Sequence, residues 1–268
     1  MICREISCKS ALSMSGLPGL DYTLNPYMGC GHACIYCYAP STLRYAGPDA
    51  WGSFVNVKAD IPRVLEKEVR TKKRGVVGIS TVTDPYQPVE EKYRLTRSCL
   101  KVLLAKDLPI CVQTKSALVV RDIDLLREFK DKEVGFTVTT LDERMSGIME
   151  PGASKPAARL DALKTLSDNG IATWAFVGPM VPGIIDKERL EELLARVQEA
   201  GASHVMLDRL RLKPGLWGRM EPILMEKAPD IAEACKRALF KNDGTFEALR
   251  SDAARICLEL KLPCELNY

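Results

Sequence analysis

Val76-Val77-Gly78-Ile79-Ser80-Thr81 is a short β-branched run with no polar alternation. Such a run reads as a strand covered on both faces. Residues 90–106 follow as a helix, with Leu95, Cys99 and Leu103 on one stripe. Ile110-Cys111-Val112-Gln113 is then a second short strand. Two buried strands joined by a helix make a βαβ unit, which requires parallel strands and a crossover.

Working outward, the same alternation continues. Upstream, residues 21–25 form a short strand, and Asn25-Pro26 turns into a cysteine-bearing loop. Asp60 is an N-cap candidate with Pro62 just inside the helix and Leu65 and Val69 on one face. Residues 1–20 show no clear periodicity. Downstream, helices are expected over 122–130, 155–168 and 186–200, and strands over 134–139, 173–177 and 204–207. Asn169-Gly170 and Gly201 close two of the helices, and Gly178-Pro179 is expected to stop a strand. Two or three helices complete the chain, the last over about 245–260. About six strands in this alternation make an α/β fold with a parallel sheet. A barrel and an open doubly wound sheet both satisfy that count, and either gathers ligands at the carboxyl ends of its strands. No domain boundary suggests itself before about Gly215.

Composition narrows the class. The chain has 268 residues, 46% hydrophobic and 27% charged, which excludes a disordered or fibrous protein. Its net charge of +3 neither demands nor excludes a nucleic-acid partner. The longest apolar runs, such as residues 75–79, are far too short to span a bilayer, and no export signal is evident. Membrane association is therefore not expected. The ten cysteines are the unusual feature. In a long chain with ample core residues they point to a reducing cytoplasmic setting, where clustered thiols serve metal or catalysis. Only Cys30, Cys34 and Cys37 form a tight cluster, spaced C-x3-C-x2-C. Three thiolates can hold a 4Fe-4S cluster with one iron left open. A zinc site would need a fourth ligand, for which Cys8 is the candidate.

The segment Cys30-Gly-His-Ala-Cys34-Ile-Tyr36-Cys37 resembles the C-x3-C-x-aromatic-C signature of the radical S-adenosylmethionine (radical SAM) superfamily. The wider stretch over 25–39 is similar to the spore photoproduct lyase-like, "DNA repair photolyase" branch. Thr83-Asp-Pro-Tyr-Gln-Pro88, Thr96-Arg97, Gln113-Thr-Lys-Ser116, Glu150-Pro-Gly152 and Val177-Gly-Pro-Met-Val-Pro182 agree with it. The resemblance covers roughly residues 20–214. It implies a partial (βα)6 TIM-like barrel with a helical C-terminal extension. The expected divisions are an N-terminal extension over 1–20, a core over 21–214, and helices over 215–268 packed on that core.

The resemblance implies that Cys30, Cys34 and Cys37 hold a 4Fe-4S cluster whose open iron binds S-adenosyl-L-methionine. One electron then cleaves the cofactor, and the resulting 5′-deoxyadenosyl radical abstracts hydrogen from a substrate. Thr83 and Lys115 would meet the methionyl amine and carboxylate, Thr137 the ribose or methionine, and Tyr36 and Gly178 the adenine. Glu150 and Arg159 are expected to form a structural ion pair at a helix start, and Asp84 an Asx turn before Pro85. A low-potential donor such as ferredoxin or flavodoxin, and an anaerobic host, are implied as well. The substrate stays open between nucleic acid and peptide or protein. The basic stretch Arg209, Arg211, Lys213 and Arg219 is either a phosphate contact or a solvated loop.

The lyase itself returns hydrogen from a cysteine near the end of its second strand, and residues 79–84 here contain none. Thymine-dimer reversal is therefore not carried over. Cys235, Cys257 and Cys264 are spaced loosely for a second-cluster motif, and Cys257 falls on the apolar side with Ile256 and Leu260, so buried core cysteine is the default reading there. The non-catalytic alternative is an iron–sulfur or zinc protein whose site is structural or redox-sensing. Such a site would be coordinatively full and indifferent to S-adenosylmethionine.

Overall fold

The computed structural model describes residues 1–267. In chain order its strands are β1 (Ile2–Ile6), β2 (Leu12–Met14), β3 (Tyr22–Leu24), β4 (Tyr27–Met28), β5 (Phe54–Lys58), β6 (Val77–Ile79), β7 (Ile110–Thr114), β8 (Lys132–Thr137), β9 (Ala172–Met180), β10 (Val205–Arg209) and β11 (Cys264–Leu266). The helices are α1 (Ala39–Thr42), α2 (Ile61–Glu68), α3 (Val89–Tyr93), α4 (Leu95–Leu104), α5 (Ile123–Leu126), α6 (Glu143–Met149), α7 (Pro156–Asp168), α8 (Lys187–Glu199), α9 (Leu216–Lys227), α10 (Pro229–Phe240) and α11 (Thr245–Leu260).

The main sheet has the order β11-β10-β9-β8-β7-β6-β3-β2. From β3 to β10 each strand lies beside its predecessor in the sheet, and every pair is parallel. A doubly wound sheet reverses its order at a switch point, and this sheet does not. With crossovers of one hand, a monotonic order places the helices on one face and curls the sheet. The result is a partial barrel that stays open, since no pairing joins β2 to β11 among the described residues.

The two faces of β8 show the sorting. Val134 and Phe136 point into the main core with the helices. Gly135 and Thr137, one residue out of phase, face the concave side. A Cβ at Gly135 would lie 2.3 Å from the Trp174 ring, so Trp174 occupies the space that a side chain there would need. A second core joins Ile35 and Tyr36 of the cysteine loop to Met149, Met220 and Leu224 of α6 and α9.

Several sequence expectations change. Residues 1–20 hold β1 and β2; β1 is almost wholly exposed, so it carries no hydrophobic alternation to read. β1 and β4 flank β5 in a separate sheet, which leads directly into the cysteine loop. The helix expected over 90–106 breaks at Arg94, whose φ is 51°. β9 does not stop at Gly178-Pro179 but runs on to Met180. The register between β9 and β10 shifts there, and a bulge tolerates a proline that cannot donate to the ladder. Asp60 is an N-cap by position, but its carboxylate accepts from Cys8 N at 2.9 Å instead. Among the described residues no helix is long and apolar enough to cross a membrane.

Candidate active site

Cys30, Cys34 and Cys37 lie on one loop between β4 and α1, all with free thiols, Cys30 buried and the others half-buried. Tight turns fold the loop: Ala33 N donates to Cys30 O at 3.3 Å, and Cys37 N to Cys34 O at 3.2 Å. Four surrounding segments hold its backbone. Gln87, fully buried, accepts from Gly31 N at 2.8 Å and donates to Gly29 O at 3.2 Å. Gly152 N donates to His32 O at 2.9 Å, and Ile35 N to Met149 O at 3.0 Å. Arg219 of α9 donates to Cys37 O at 2.6 Å.

The thiols feel one another's charge. Burial, aided by Asp84, pushes Cys30 up to about 12. Burial also raises Cys34 well above the ordinary thiol range, with Lys115 opposing and Glu150 reinforcing the shift. Among the described residues no three His, Cys, Asp or Glu side chains are drawn together as a finished metal site. The donor set nonetheless suits iron–sulfur ligation: three free thiols on one clamped loop, with an ammonium group nearby.

The other predicted residues lie at the carboxyl ends of successive strands. Thr83 follows β6, Lys115 follows β7, Thr137 ends β8 and Gly178 lies near the end of β9. Lys115 Nζ stands 5.8 Å from the centroid of the Tyr36 ring. Burial works against its charge, but Cys34, Glu150 and Asp84 outweigh that and raise its pKa. Thr137 Oγ1 accepts from Gln113 Nε2 at 3.2 Å. Thr83 Oγ1 and Thr139 Oγ1 are buried without a hydrogen-bond partner, an arrangement that calls for a polar guest. A side chain at Gly178 would meet the Phe176 ring at 2.5 Å.

Sequence reasoning assigned too little to the charged residues around the loop. Tyr36 donates its hydroxyl to Glu150, both buried. The second carboxylate oxygen of Glu150 pairs with Arg159 Nη2 at 2.5 Å, and Arg159 Nη1 donates to Thr137 O at 3.0 Å. The expected ion pair is therefore real, but it also links two predicted site residues. Asp84 makes the expected Asx turn, accepting from Tyr86 N at 2.9 Å. It also accepts from Thr114 Oγ1 at 2.7 Å and Lys115 N at 2.8 Å. His32 Nδ1 lies 3.4 Å from Asp84 Oδ2, too long for a good hydrogen bond. Burial alone would raise Asp84, yet His32, Lys115 and Thr114 hold it at about 2. A cavity of about 370 Å³ is lined by His32 of the cysteine loop and by Ser116, the residue after Lys115, but not by Thr83, Lys115, Thr137 or Gly178 themselves.

The basic stretch is largely engaged internally. Arg209 lies over the Phe246 ring at 5.2 Å, Arg211 pairs with Asp208 at 3.2 Å, and Arg219 holds Cys37 O. Cys235 bonds Pro182 O at 3.6 Å in the second core, whereas Cys257 packs in the main core.

Residues 24–208 match the family model of the Radical SAM superfamily. The chain belongs to the radical SAM superfamily. It is 37% identical over 184 residues to an uncharacterized protein of Methanocaldococcus jannaschii, covering 69% of this chain and 70% of that one. It is 29% identical over 184 residues to the radical SAM Nalpha-GlyT isomerase of Pseudomonas phage M6, covering 68% of this chain and 38% of the phage protein. Among solved structures, a spore photoproduct lyase variant with bound AdoMet and dinucleoside spore photoproduct superposes with a TM-score of 0.68. That likeness has 16% identity and covers 99% of this chain and 82% of the lyase. The partial barrel is thus the radical SAM fold, and the chain is a radical SAM enzyme. The superfamily's cofactors are a 4Fe-4S cluster and S-adenosylmethionine.

Proposed function

We propose that Cys30, Cys34 and Cys37 hold a 4Fe-4S cluster and that the strand ends beside them bind S-adenosylmethionine for reductive cleavage. Lys115 pairs with the carboxylate of the cofactor, and Thr83 supplies an unpartnered hydroxyl to its amine end. Tyr36 and Gly178 bound the adenine, and Thr137 lies at the ribose. When bound, cluster and cofactor supply a one-electron cleavage that yields a 5′-deoxyadenosyl radical. The protein's part is to hold the thiolates, place the cation and exclude solvent. The observation that carries this reading is Lys115: a half-buried ammonium 5.8 Å from the Tyr36 ring centroid and within electrostatic reach of Cys34, at the carboxyl end of a barrel strand. A low-potential donor of the ferredoxin or flavodoxin type supplies the electron, in the reducing cytoplasm that free thiols suit.

The test is electron paramagnetic resonance on anaerobically reconstituted, dithionite-reduced protein, with and without S-adenosylmethionine, beside an assay for 5′-deoxyadenosine. A reduced-cluster signal that shifts with the cofactor, with deoxyadenosine above the abiotic background, is expected. A spectrum blind to the cofactor, with no cleavage, would leave a structural or sensing metal protein. The hydrogen-abstraction substrate stays open between a nucleic acid and a peptide or protein. Binding of a DNA oligonucleotide at two salt concentrations separates these, since phosphate contacts give a steep salt slope.

A further inference from the structure

The Glu150–Arg159 pair is costly to keep. Burying two charges costs several kcal/mol per ion, and matched apolar residues often stabilise a core as well. Here the side chains are 0% and 1% exposed. Stability alone is a weak reason for such a pair, so its contacts matter.

Those contacts form one bridge. Glu150 is the C-cap residue of α6, and its Oε1 receives the Tyr36 hydroxyl from the cysteine loop. Its Oε2 meets Arg159 Nη2 at 2.5 Å. Arg159, in the first turns of α7, is fixed by Nε to Ser154 O at 2.7 Å and reaches the end of β8 through Nη1 to Thr137 O at 3.0 Å. The bridge therefore begins at one residue assigned to the cofactor, Tyr36, and ends at another, Thr137. Lys115, a third, stands over the Tyr36 ring that the bridge holds. The hydroxyl of Tyr36 is engaged in the interior, and its buried ring packs in the second core with Lys115 Nζ 5.8 Å from its centroid.

We propose that Glu150 and Arg159 are positioning residues for S-adenosylmethionine, setting the Tyr36 ring and the end of β8 at a fixed separation across its binding site. The inference rests on the reading above, in which Tyr36 and Thr137 contact that cofactor. The pair neither ligates the cluster nor takes part in the cleavage, so its loss acts on affinity.

Two variants test this. Tyr36→Phe removes only the hydroxyl and leaves the ion pair intact. Glu150→Gln combined with Arg159→Met removes both charges and leaves no lone buried ion. The readouts are iron per chain, the dissociation constant for S-adenosylmethionine by equilibrium dialysis on reconstituted protein, and the KM and limiting rate of deoxyadenosine release. Each variant is expected to weaken cofactor binding about five- to tenfold, tenfold being about 1.4 kcal/mol. Iron content should stay within about twofold of the parent, and KM should rise by a larger factor than the limiting rate falls. The triple variant should show no further loss, because both changes cut the same bridge. Unchanged affinity, additive losses, or iron lost in step with affinity would overturn the proposal. If the charge-free pair does not fold, Tyr36→Phe decides alone. A parent protein that holds iron but binds no S-adenosylmethionine overturns the underlying reading, which the variants alone cannot do.

Discussion

An alanine at position 152 would place its Cβ 2.1 Å from Gly31 O and 2.9 Å from His32 Cα. Backbone cannot yield as a flexible side chain does, so the cysteine loop itself would have to move. Gly152→Ala should cost about 2 kcal/mol, the scale of overpacking. It should also lower iron incorporation on reconstitution, which a urea titration and an iron assay would measure. Wild-type values in both would show that the loop is looser than its contacts indicate. Asp84 sets a pH dependence at the same scale. Its folded pKa of about 2 lies below the ordinary value of 3.8, so its ionised form stabilises the fold. That contribution is complete above the unfolded pKa and disappears as pH falls through the folded one. Asp84→Asn should destabilise the iron-free protein by about 2 kcal/mol at pH 7 and by roughly half that at pH 3. A difference that grows on acidification would refute this assignment. The candidate ligands Cys30, Cys34 and Cys37 were legible as a cluster because their type and spacing are specific. The contacts of Gly152, and those of Asp84 beyond its Asx turn, were not, since these partners come from the distant cysteine loop and the end of β7.

At the scale of elements, the break between α3 and α4 shows why. A sequence stripe predicts one continuous helix there, and the apolar stripe does continue into α4 through Cys99 and Leu103. A buried carboxylate overrides it. Glu90 accepts from Thr96 N at 3.0 Å and Arg97 N at 3.3 Å, and it binds Arg121 at 2.6 Å and the Tyr27 hydroxyl. It thereby satisfies amide donors of the new helix that would otherwise lack partners. The break anchors the segment before α3, which carries Gln87 to the cysteine loop. Propensity and periodicity are local, so they could not foresee a helix end fixed by Tyr27 and Arg121. Gln87→Glu should keep the acceptor for Gly31 N but lose the donor to Gly29 O. It would also place a buried charge beside the three thiols, which iron–sulfur ligation would need as thiolates. A fall in bound iron with little change in secondary structure is expected, read by iron analysis and circular dichroism. Full iron content would mean that Gln87 only fills space.

Across the whole molecule, the parallel strands and their helices were readable because a two-face-buried strand and an amphipathic helix are patterns within one segment. Strand order was not readable, because it depends on which faces meet. β1, β2 and β11 escaped for a related reason: they are short edge strands with exposed or mixed faces, made by pairing rather than by pattern. The helices after residue 215 show how the distant chain acts on the site. α9 and α10 build the second core against Ile35 and Tyr36, while α11 places Leu249, Ala253 and Ile256 in the main core. The C-terminal helices thus brace both the barrel and the cysteine loop, and Arg219 is their polar tie, donating to Cys37 O at 2.6 Å across 182 residues of sequence. Removing that tie leaves the apolar packing of α9 through Leu216, Met220 and Leu224 intact. Arg219→Ala should therefore shift the unfolding midpoint only slightly, by about 1 kcal/mol for one lost hydrogen bond. The loop end carrying Cys37 should open more readily, and the reconstituted cluster should bleach faster in air than in the parent. Optical absorbance followed after exposure to oxygen, beside a urea titration, separates the two effects. Equal bleaching rates would confine Arg219 to packing, whereas a large loss of stability would place it in the core that holds the helices together.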